Sequence, residues 1–307
     1  MNMRLILLSL LCCASSVYAD IWGDLSQAAQ VAYTAPLNGE YVRQTQTGID
    51  SFEIYRLRDK NTLTERRVAK NGKAYEILRE RDKISFYAAN AQDLKAADTD
   101  ESNRFPAVLP FFVQYLSESY EASYQGDGRI AGRTCHIVRL TPKDDNRYTQ
   151  ELCLDDTDNL PLSRIYLHND IIVRADLFAA LDRETLPVAA ELTPTRGFNY
   201  TIERTLNEDF ARLGENDTFI QSLPAGFRVA GYEQGTLGGY YLITDGLANI
   251  TLFVEPVDNA HHQLPNIAKN GVFSAAARQS KKHHFTAIGD LPQDGLKRWL
   301  DSVEFAD

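Results

Sequence analysis

The sequence predicts an α+β protein with two domains, in which a mostly antiparallel sheet with a few helices precedes a smaller unit. Three observations predict this class. Short runs of alternating apolar and polar residues, separated by turn signals, fill residues 38–87. Two strand-like runs flank a turn-rich stretch around residue 144. A polar stretch at 182–217 separates these runs from a second group of strands and a closing helix.

The first 19 residues have the pattern of an export signal, with one positive charge, an apolar run and a small-residue cleavage site ending at Ala19. The apolar run is too short to span a membrane as a helix, so the mature chain is expected to begin at Asp20. A lipid-anchored cysteine is the alternative interpretation of Cys12, although such sites favour a small residue where Leu11 stands.

Removal of the signal leaves two cysteines, Cys135 and Cys153, and two cysteines in an exported chain usually pair. Their midpoint is residue 144, so an antiparallel hairpin around that turn places them opposite each other, within disulfide reach. The same alignment pairs mostly apolar residues on the other face: His136 with Leu152, Val138 with Gln150, and Leu140 with Tyr148. The cysteines are then expected on the solvent side. Two reduced core cysteines are the alternative.

The remaining elements of the first domain follow from periodicity. Residues 20–35 are predicted to form a helix capped by Asp20, because apolar residues recur there at helical spacing. Strands are predicted at 39–43, 52–57, 64–68, 74–78, 84–87, 162–167 and 171–178. Asn71-Gly72 and Asn169-Asp170 provide hairpin turns. Residues 108–116 suggest a helix that packs on the sheet or plugs it.

Domain boundaries follow from the change in composition. Residues 20–185 are assigned to the first domain, 186–217 to a connecting region and 218–307 to the second domain. The second domain is predicted to contain strands at 227–232, 240–244, 248–254 and 285–288. Its closing helix carries four apolar residues on one face: Leu296, Trp299, Leu300 and Val303.

Composition and motifs disfavour several classes of function. The chain has a formal net charge of −10, which becomes −11 without Arg4, so nucleic acid is not expected as the main partner. Nucleophile elbows, His-Glu-x-x-His motifs and phosphate-binding glycine loops do not occur in the sequence, and we assign neither catalytic residues nor a cofactor. The doublets His261-His262 and His283-His284 could combine as a metal site, but the carboxylate or cysteine spacing typical of zinc sites is missing, so surface histidines are the favoured interpretation and no metal is expected.

Residues 56–83 carry ten Lys or Arg against five Asp or Glu, in contrast to the acidic chain as a whole. They are either solvated faces of strands or an anion-contacting surface, for which Arg66, Arg67 and Lys70 are the candidates for lipid headgroup phosphates. Aromatic residues are interleaved with them and form either an ordinary core or a concave face for acyl chains. The candidates for that cavity are Tyr41, Phe52, Tyr55, Tyr75, Phe86 and Tyr87, together with Phe111 and Phe112.

Several strings occur together in a familiar order. In the first domain they are Asn38-Gly39-Glu40-Tyr41-Val42, Glu65-Arg66, Asn71-Gly72 with 76–79, Phe86-Tyr87, Arg129-Ile130-Ala131-Gly132-Arg133, Arg147-Tyr148, Leu154-Asp155 and Leu160-Pro161-Leu162. In the second they are Leu223-Pro224-Ala225-Gly226-Phe227, Thr244-Asp245-Gly246-Leu247-Ala248, Phe253-Val254-Glu255 and Gly289-Asp290-Leu291-Pro292. On these strings the chain resembles the RseB/MucB family of periplasmic regulators of the envelope-stress sigma factor. It departs from the family at Lys73-Ala74-Tyr75, where Pro and Arg are usual.

The resemblance implies a LolA-like half-open β-barrel, with a cavity suited to acyl chains, followed by a smaller α/β domain. The second domain would grip the periplasmic part of a membrane-spanning anti-sigma factor and shield it from proteolysis. Lipopolysaccharide or mislocalised lipoprotein would release that partner, which requires a ligand that prefers the released state. The resemblance also implies a periplasmic location. A second copy of the chain, in a homo-oligomer, is an additional candidate partner.

Two other functions remain in view. A periplasmic carrier of lipid or lipoprotein would use the second domain for docking and would transfer its cargo to an acceptor membrane. A secreted hydrolase is the third class, although the sequence offers no nucleophile constellation for it.

Overall fold

The computed structural model describes eight stretches of the chain: 20–59, 62–81, 83–94, 104–195, 197–205, 219–234, 238–257 and 271–306. The predicted export signal at 1–19 and the doublet His261-His262 lie outside the described residues.

An antiparallel sheet of eleven strands forms the first domain. Its strands are β1 (Leu37–Thr45), β2 (Ile49–Asp59), β3 (Thr62–Ala69), β4 (Tyr75–Glu80), β5 (Lys83–Ala88), β6 (Tyr120–Ile130), β7 (Arg133–Pro142), β8 (Thr149–Asp155), β9 (Pro161–His168), β10 (Ile171–Asp182) and β11 (Tyr200–Thr205). Their order across the sheet is β11-β5-β4-β3-β2-β1-β10-β9-β8-β7-β6. Within the described residues the edge strands β11 and β6 do not pair with each other, so the curved sheet stays half open. The predicted fold class is confirmed.

The predicted turns connect strands of this sheet. Asn169 and Asp170 both adopt positive φ angles, of 51° and 59°, between the paired strands β9 and β10. Two consecutive positive φ angles are typical of the type I′ hairpin turn, whose twist matches that of the flanking strands. Gly72 has a φ of 71° in the link between β3 and β4, which only glycine adopts without strain.

Helix α1 (Ile21–Thr34) begins where the sequence predicts. The Asp20 side chain accepts a hydrogen bond from the Gly23 amide at 3.0 Å and caps the first turn. The helix ends before Pro36, because the residue that precedes a proline disfavours the α conformation. Its buried face carries Leu25 and three alanines, which lie in the core of the first domain.

In its described residues, the second domain consists of a five-stranded antiparallel sheet, one helix and a short separate strand pair. The strands are β13 (Arg228–Gln234), β14 (Gly239–Thr244), β15 (Asn249–Pro256), β16 (Ser274–Gln279) and β17 (His283–Gly289), in the order β13-β14-β15-β17-β16. A separate pair joins β12 (Ile220–Ser222) to β18 (Glu304–Phe305). Helix α2 (Gln293–Ser302) packs on the sheet through Leu296, Trp299 and Leu300, as their spacing predicts.

The hairpin of β7 and β8 differs in alignment from the predicted one. Cys135 and Cys153 form the predicted disulfide, with 5.5 Å between their Cα atoms, but Cys153 lies opposite Ile137 and Cys135 lies opposite Asp155. The predicted pairs His136–Leu152, Val138–Gln150 and Leu140–Tyr148 are therefore wrong by two residues: His136 faces Leu154, Val138 faces Leu152 and Leu140 faces Gln150. A shift of two leaves each side chain on its predicted face, because side chains alternate with period two.

The expected solvent exposure of the cysteines is also wrong. Cys135 is 0% exposed and Cys153 is 5% exposed. Their burial has a local cause in strand β6, where Gly128 lies opposite Cys135. A Cβ atom at Gly128 would lie 3.0 Å from the Cys153 sulfur and 3.3 Å from the Cys135 sulfur, so the backbone of β6 approaches the bridge closely and covers it.

Two stretches differ in secondary structure from the sequence prediction. Within the predicted connecting region, β11 extends the first sheet by pairing with β5. The expected helix at 108–116 is instead an irregular segment that ends in a 3-10 helix (Val113–Glu118). Its aliphatic residues Val108, Leu109, Val113 and Leu116 are nevertheless buried in the core of the first domain, so this part of the segment covers the concave face as a plug would.

Candidate ligand cavity and domain interface

Four of the predicted cavity residues share the concave face of the first sheet. Tyr41, Phe52, Tyr75 and Phe86 are all buried, in one core with the apolar face of α1. The ring of Phe105 is fully buried against this core, with its centroid 5.2 Å from that of Tyr41 and 5.0 Å from that of Phe178. These side chains therefore form a packed core in this state, and an acyl chain would have to displace the ring of Phe105 to reach them.

Two other candidates lie on the opposite, convex face. Tyr55 lies opposite Arg66, while its neighbours Ile54 and Arg56 point into the core, because alternate residues of a strand face opposite sides. Burial and the nearby Glu53 carboxylate raise the pKa of Tyr55 to about 12. Tyr87 also lies on the convex face and is half-buried. The structure thus separates these two rings from the other six candidates.

The last two candidates form an exposed aromatic rim beside the concave face. Phe111 and Phe112 are 59% and 64% exposed, and Tyr115 is 52% exposed. Phe111 stacks on Tyr33 of α1 with 4.5 Å between ring centroids, and Phe112 contacts Tyr115 edge to face. Large aromatic side chains that expose half of their surface together are uncommon on a soluble surface and mark interaction sites. This aromatic rim (Phe111, Phe112 and Tyr115) is the accessible apolar surface at the concave face.

A buried carboxylate surrounded by arginines lies beneath the aromatic core, and sequence analysis did not identify it. Glu65 accepts hydrogen bonds from Arg56 at 2.6 Å and from Arg104 at 3.2 Å, and Arg67 lies 3.5 Å away. Burial alone would raise the pKa of Glu65, but the three guanidinium groups outweigh it and hold this pKa well below its usual range. Arg56 also donates to the carbonyl of Ala32, which ties the end of α1 to the sheet.

The sequence does contain a signal for this cluster, in the alternation of residues along β3. Glu65 and Arg67 alternate with outward residues of β3 and share the parity of the buried aromatic positions across the ladder. Charged residues at predicted core positions indicate a buried ion-pair network, because an unpaired charge there is too costly.

The three headgroup candidates do not form one exposed surface. Arg66 lies on the convex face, is buried, and donates to Glu76 at 2.8 Å and to the Glu191 carbonyl at 2.9 Å. Arg67 lies on the concave face beside Glu65. Lys70 alone is exposed, with its ammonium 2.5 Å from the Glu53 carboxylate. Both arginines therefore serve the packing of the first domain.

The two domains meet at a buried ion pair. Arg147 donates to the Asp245 carboxylate at 2.6 Å and to the Ala225 carbonyl at 2.6 Å, and its guanidinium stacks over the Phe227 ring at 4.3 Å. The Tyr120 hydroxyl donates to the same carboxylate at 3.0 Å. Burial and the adjacent carboxylate raise the pKa of Tyr120 well above its usual value, so it stays a donor.

Residues around this ion pair fix the turn between β14 and β15. Asp245 accepts hydrogen bonds from the amides of Leu247 and Ala248, at 2.9 and 2.7 Å, and Leu247 is buried in the core of the first domain. Arg298 of α2 donates to Asn146 in the β7–β8 turn at 3.0 Å. Strings that carry the family resemblance, at 147–148, 223–227 and 244–248, thus meet at one interface.

Asp290 is buried close to the same interface. Its carboxylate accepts a hydrogen bond from the Asn249 amide. Burial raises the pKa of Asp290 to about 6, even though that hydrogen bond and the charge of Arg164 lower it. Asp290 thus differs from Asp245, which is paired directly with an arginine.

The described part of the chain has neither a clustered set of metal ligands nor a membrane-spanning helix. There, no group of three or more His, Cys, Asp or Glu side chains is arranged to hold a metal ion. No described helix combines the length and apolar character needed to cross a bilayer.

Two family models match the chain in succession. The MucB/RseB N-terminal domain matches residues 24–173, and the MucB/RseB C-terminal domain matches residues 215–304. The sigma-E factor regulatory protein RseB of Haemophilus influenzae is 27% identical over 286 residues, which cover 86% of this chain and 85% of that protein. The sigma factor AlgU regulatory protein MucB of Pseudomonas aeruginosa is 24% identical over 269 residues, which cover 84% and 82%.

Solved structures share the whole two-domain arrangement. A crystal structure of MucB has a TM-score of 0.67 at 20% identity and covers 94% of this chain and 98% of that chain. MucB in the complex structure of Pseudomonas aeruginosa MucA/MucB has a TM-score of 0.71 at 19% identity, covering 94% and 100%. At this level of identity the structural similarity shows the fold alone.

Proposed function

Because this chain belongs to the MucB/RseB family, we propose that it binds the periplasmic part of a membrane-spanning anti-sigma factor and shields it from proteolysis. The observation that carries the proposal is the match of both family domains, in order, over residues 24–173 and 215–304. The curated relatives are sigma-factor regulatory proteins rather than enzymes. The chain would accordingly act by binding, as a negative regulator of the envelope-stress sigma factor.

The partner is proposed from the MucB structures. MucB of Pseudomonas aeruginosa has been solved in complex with MucA, including a complex with the periplasmic MucA region. The same two-domain fold in this chain supports a comparable partner. The second domain, at about 218–307, follows the connecting region at 186–217 and is proposed to provide most of the contacts with the partner.

A periplasmic location is proposed on the disulfide and the leader-like first residues. Disulfides such as Cys135–Cys153 form and persist in oxidising compartments, of which the bacterial periplasm is one.

Lipid or lipopolysaccharide is proposed as the releasing ligand, with entry at the aromatic rim. Phe111, Phe112 and Tyr115 offer exposed rings, and Phe105 of the same segment contacts the buried rings of Tyr41 and Phe178. An acyl chain that displaced Phe105 would occupy a site lined by Tyr41, Phe52, Tyr75 and Phe86. Lys70, exposed on the opposite face of the sheet, is proposed separately to contact the anionic headgroups of a lipid surface.

A pull-down with the purified mature chain and the periplasmic fragment of the anti-sigma factor from the same organism tests the proposal. We expect a complex in the absence of lipid and its dissociation by lipopolysaccharide. Failure to form the complex without lipid would contradict the proposed function.

A lipid or lipoprotein carrier is the second candidate, and the half-open sheet with its exposed aromatic rim favours it. A carrier would transfer a fluorescent acyl cargo to acceptor vesicles, whereas the regulator would leave that cargo in place. The two functions are therefore separated by one transfer assay.

A further inference from the structure

An open groove lies on the second domain between the β16–β17 turn and the residues that follow α2. Its volume is about 810 Å³. Three cationic side chains, Arg278, Lys281 and Lys282, line it together with one carboxylate, Glu304. The ring of Phe305 adds an apolar surface. The groove is therefore positively charged on a chain whose formal net charge is −10.

Hydrogen bonds fix the turn that presents the two lysines. The Ser280 hydroxyl oxygen accepts from the amide of Lys282 at 3.3 Å and from that of His283 at 3.0 Å. The Ser280 amide donates to the His283 carbonyl at 2.8 Å, and the Lys282 carbonyl accepts from the Val257 amide at 3.0 Å. The lysines consequently occupy the tip of a closed hairpin, so ligand binding would cost little backbone conformational entropy.

Arg278 and two rings form the floor of the groove. The guanidinium of Arg278 donates to the carbonyls of Leu300 at 3.1 Å and Val303 at 3.2 Å, at the end of α2. It also lies over the rings of Phe285 and Phe305, at 5.4 and 5.0 Å from their centroids. Arg278 is thus committed to the fold and supplies a fixed positive charge beneath the lysines.

Lys281 and Lys282 differ from Lys70 and Lys73, two exposed lysines of the first domain. Both groove lysines are exposed, and within the described residues neither forms an ion pair. Lys70 pairs with Glu53 at 2.5 Å, and Lys73 lies 3.8 Å from Asp93. Two adjacent cations over an aromatic floor form a site complementary to carboxylates next to an apolar side chain.

We propose that this groove binds an acidic segment of the protein partner, with its carboxylates on Lys281 and Lys282 and an apolar side chain on Phe305. This inference rests on the proposed function and assigns part of the partner-binding surface to the β16–β17 turn. Because the lysines lie at an open rim, their charge acts mainly on the association rate and on the dependence of binding on salt.

The test compares two charge-reversed forms of the full mature chain. The variant Lys281→Glu/Lys282→Glu changes the groove, while Arg58→Glu/Lys73→Glu makes the same change of charge at two exposed cations of the first domain to which no binding role is assigned. Affinity for the periplasmic anti-sigma fragment is measured by titration calorimetry from about 0.05 to about 0.5 M salt. Equal thermal unfolding curves show that both variants are folded.

We expect the groove variant to bind at least about tenfold more weakly at low salt, with a smaller difference at high salt, and the control variant to bind like the unchanged chain. A fragment whose longest acidic run is changed to Asn and Gln should bind both forms alike. Equal binding by the two variants, while the unchanged chain binds the fragment, overturns the groove and leaves the proposed function standing. A fragment that does not bind the unchanged chain contradicts both. Binding to phosphatidylglycerol vesicles is measured for the same variants. If the groove variant loses vesicle binding but still binds the fragment like the unchanged chain, the groove contacts a lipid surface and the proposed acidic peptide is overturned.

Discussion

Buried carboxylates in this protein differ in the cations beside them. Asp176 accepts hydrogen bonds from Arg43 at 2.7 Å and from Arg174 at 2.8 Å. Burial would raise the pKa of Asp176, yet the two arginines hold it below its usual value. Glu65 follows the same rule. Asp290 has no guanidinium in hydrogen-bond contact among the described residues, and its pKa is raised to about 6. Ionised Asp290 is therefore a local source of instability at neutral pH.

Asp290→Asn is predicted to stabilise the protein in a pH-dependent way. The folded chain holds a proton on Asp290 up to about pH 6, whereas the unfolded chain loses it near 3.8, so the free energy of unfolding falls as pH rises through this window. Asparagine cannot ionise and still accepts from the Asn249 amide. Urea denaturation should show the variant more stable by about 3 kcal/mol at pH 8 and by about half of that near pH 5. A difference that does not vary with pH would contradict the assignment.

The disulfide is predicted to stabilise the fold without taking part in binding. It closes a loop with a sequence separation of 18, which corresponds to about 3 kcal/mol of lost unfolded-state entropy. The variant Cys135→Ala/Cys153→Ala should lose about that much free energy of unfolding in denaturant titrations. Its affinity for the anti-sigma fragment should be unchanged. Loss of affinity in a variant of undiminished stability would place the bridge in the binding surface instead.

At the scale of elements, strand β3 explains why a basic run in the sequence is not a basic surface. Arg66 and Arg67 are adjacent and so point to opposite faces, where each meets its own carboxylate, Glu76 or Glu65. Lys70 follows the strand and is exposed. Ion pairs within the strand faces therefore account for Arg66 and Arg67. Of the three headgroup candidates, Lys70 is the one that is exposed enough to contact an anion.

Charge reversal separates these roles. Changing Arg66, Arg67 and Lys70 together to Glu should destabilise the first domain by at least about 3 kcal/mol, because buried carboxylates would lose their partners and face like charges. Lys70→Glu alone should keep the melting temperature within a few degrees and weaken binding to anionic vesicles. Sedimentation with vesicles measures the second effect. A fully folded triple variant would contradict the burial of the two arginines, and unchanged vesicle binding by Lys70→Glu would remove the headgroup role.

Local elements were predictable where one short stretch determines them. The cap of α1, the Asn169-Asp170 turn and the alternating strands depend on neighbouring residues, and the structure has them where the sequence predicts. The cavity was not predictable in the same way. Tyr41 and Phe86 lie at strand positions that alternate toward the concave face, which the sequence indicates. Only the tertiary path of residues 104–118 shows that the ring of Phe105 packs against Tyr41.

Exposure depended on distant strands for the same reason. The face of Cys135 followed from alternation, yet its burial depends on Gly128 in β6, a strand that sequence analysis did not identify. Arg66 is similarly covered by Glu191 and Thr195, from a stretch assigned to the connecting region. Contacts between residues distant in sequence leave no periodic trace, so pattern analysis does not identify them.

On the scale of the whole molecule, the interface between the domains is a candidate for coupling lipid binding to partner binding. The 3-10 segment that carries the aromatic rim also packs on the second domain, where a Cβ atom at Gly246 would lie 3.2 Å from Leu116 and from Pro110. Movement of this segment by a ligand would therefore disturb the turn that holds Asp245. Both sites would then bias one contact, which is the physical requirement for coupling between them.

Truncation of the interdomain ion pair is predicted to be costly and non-additive. Removing either partner leaves the other charge buried, which costs about 3–5 kcal/mol. Arg147→Met and Asp245→Asn should each show this loss in denaturant titrations, while the double variant should lose less than the sum. Additive losses would show that the two side chains act independently.

The chain is expected to protect its partner until lipid arrives. Cleavage of the periplasmic anti-sigma fragment by the site-1 protease of the stress cascade measures this directly, with the mature chain absent, present, or present with lipopolysaccharide. We expect rapid cleavage of the free fragment, slow cleavage in the complex, and rapid cleavage again once lipopolysaccharide is added. Cleavage of the fragment at the same rate with and without the chain would contradict the proposed shielding of the partner.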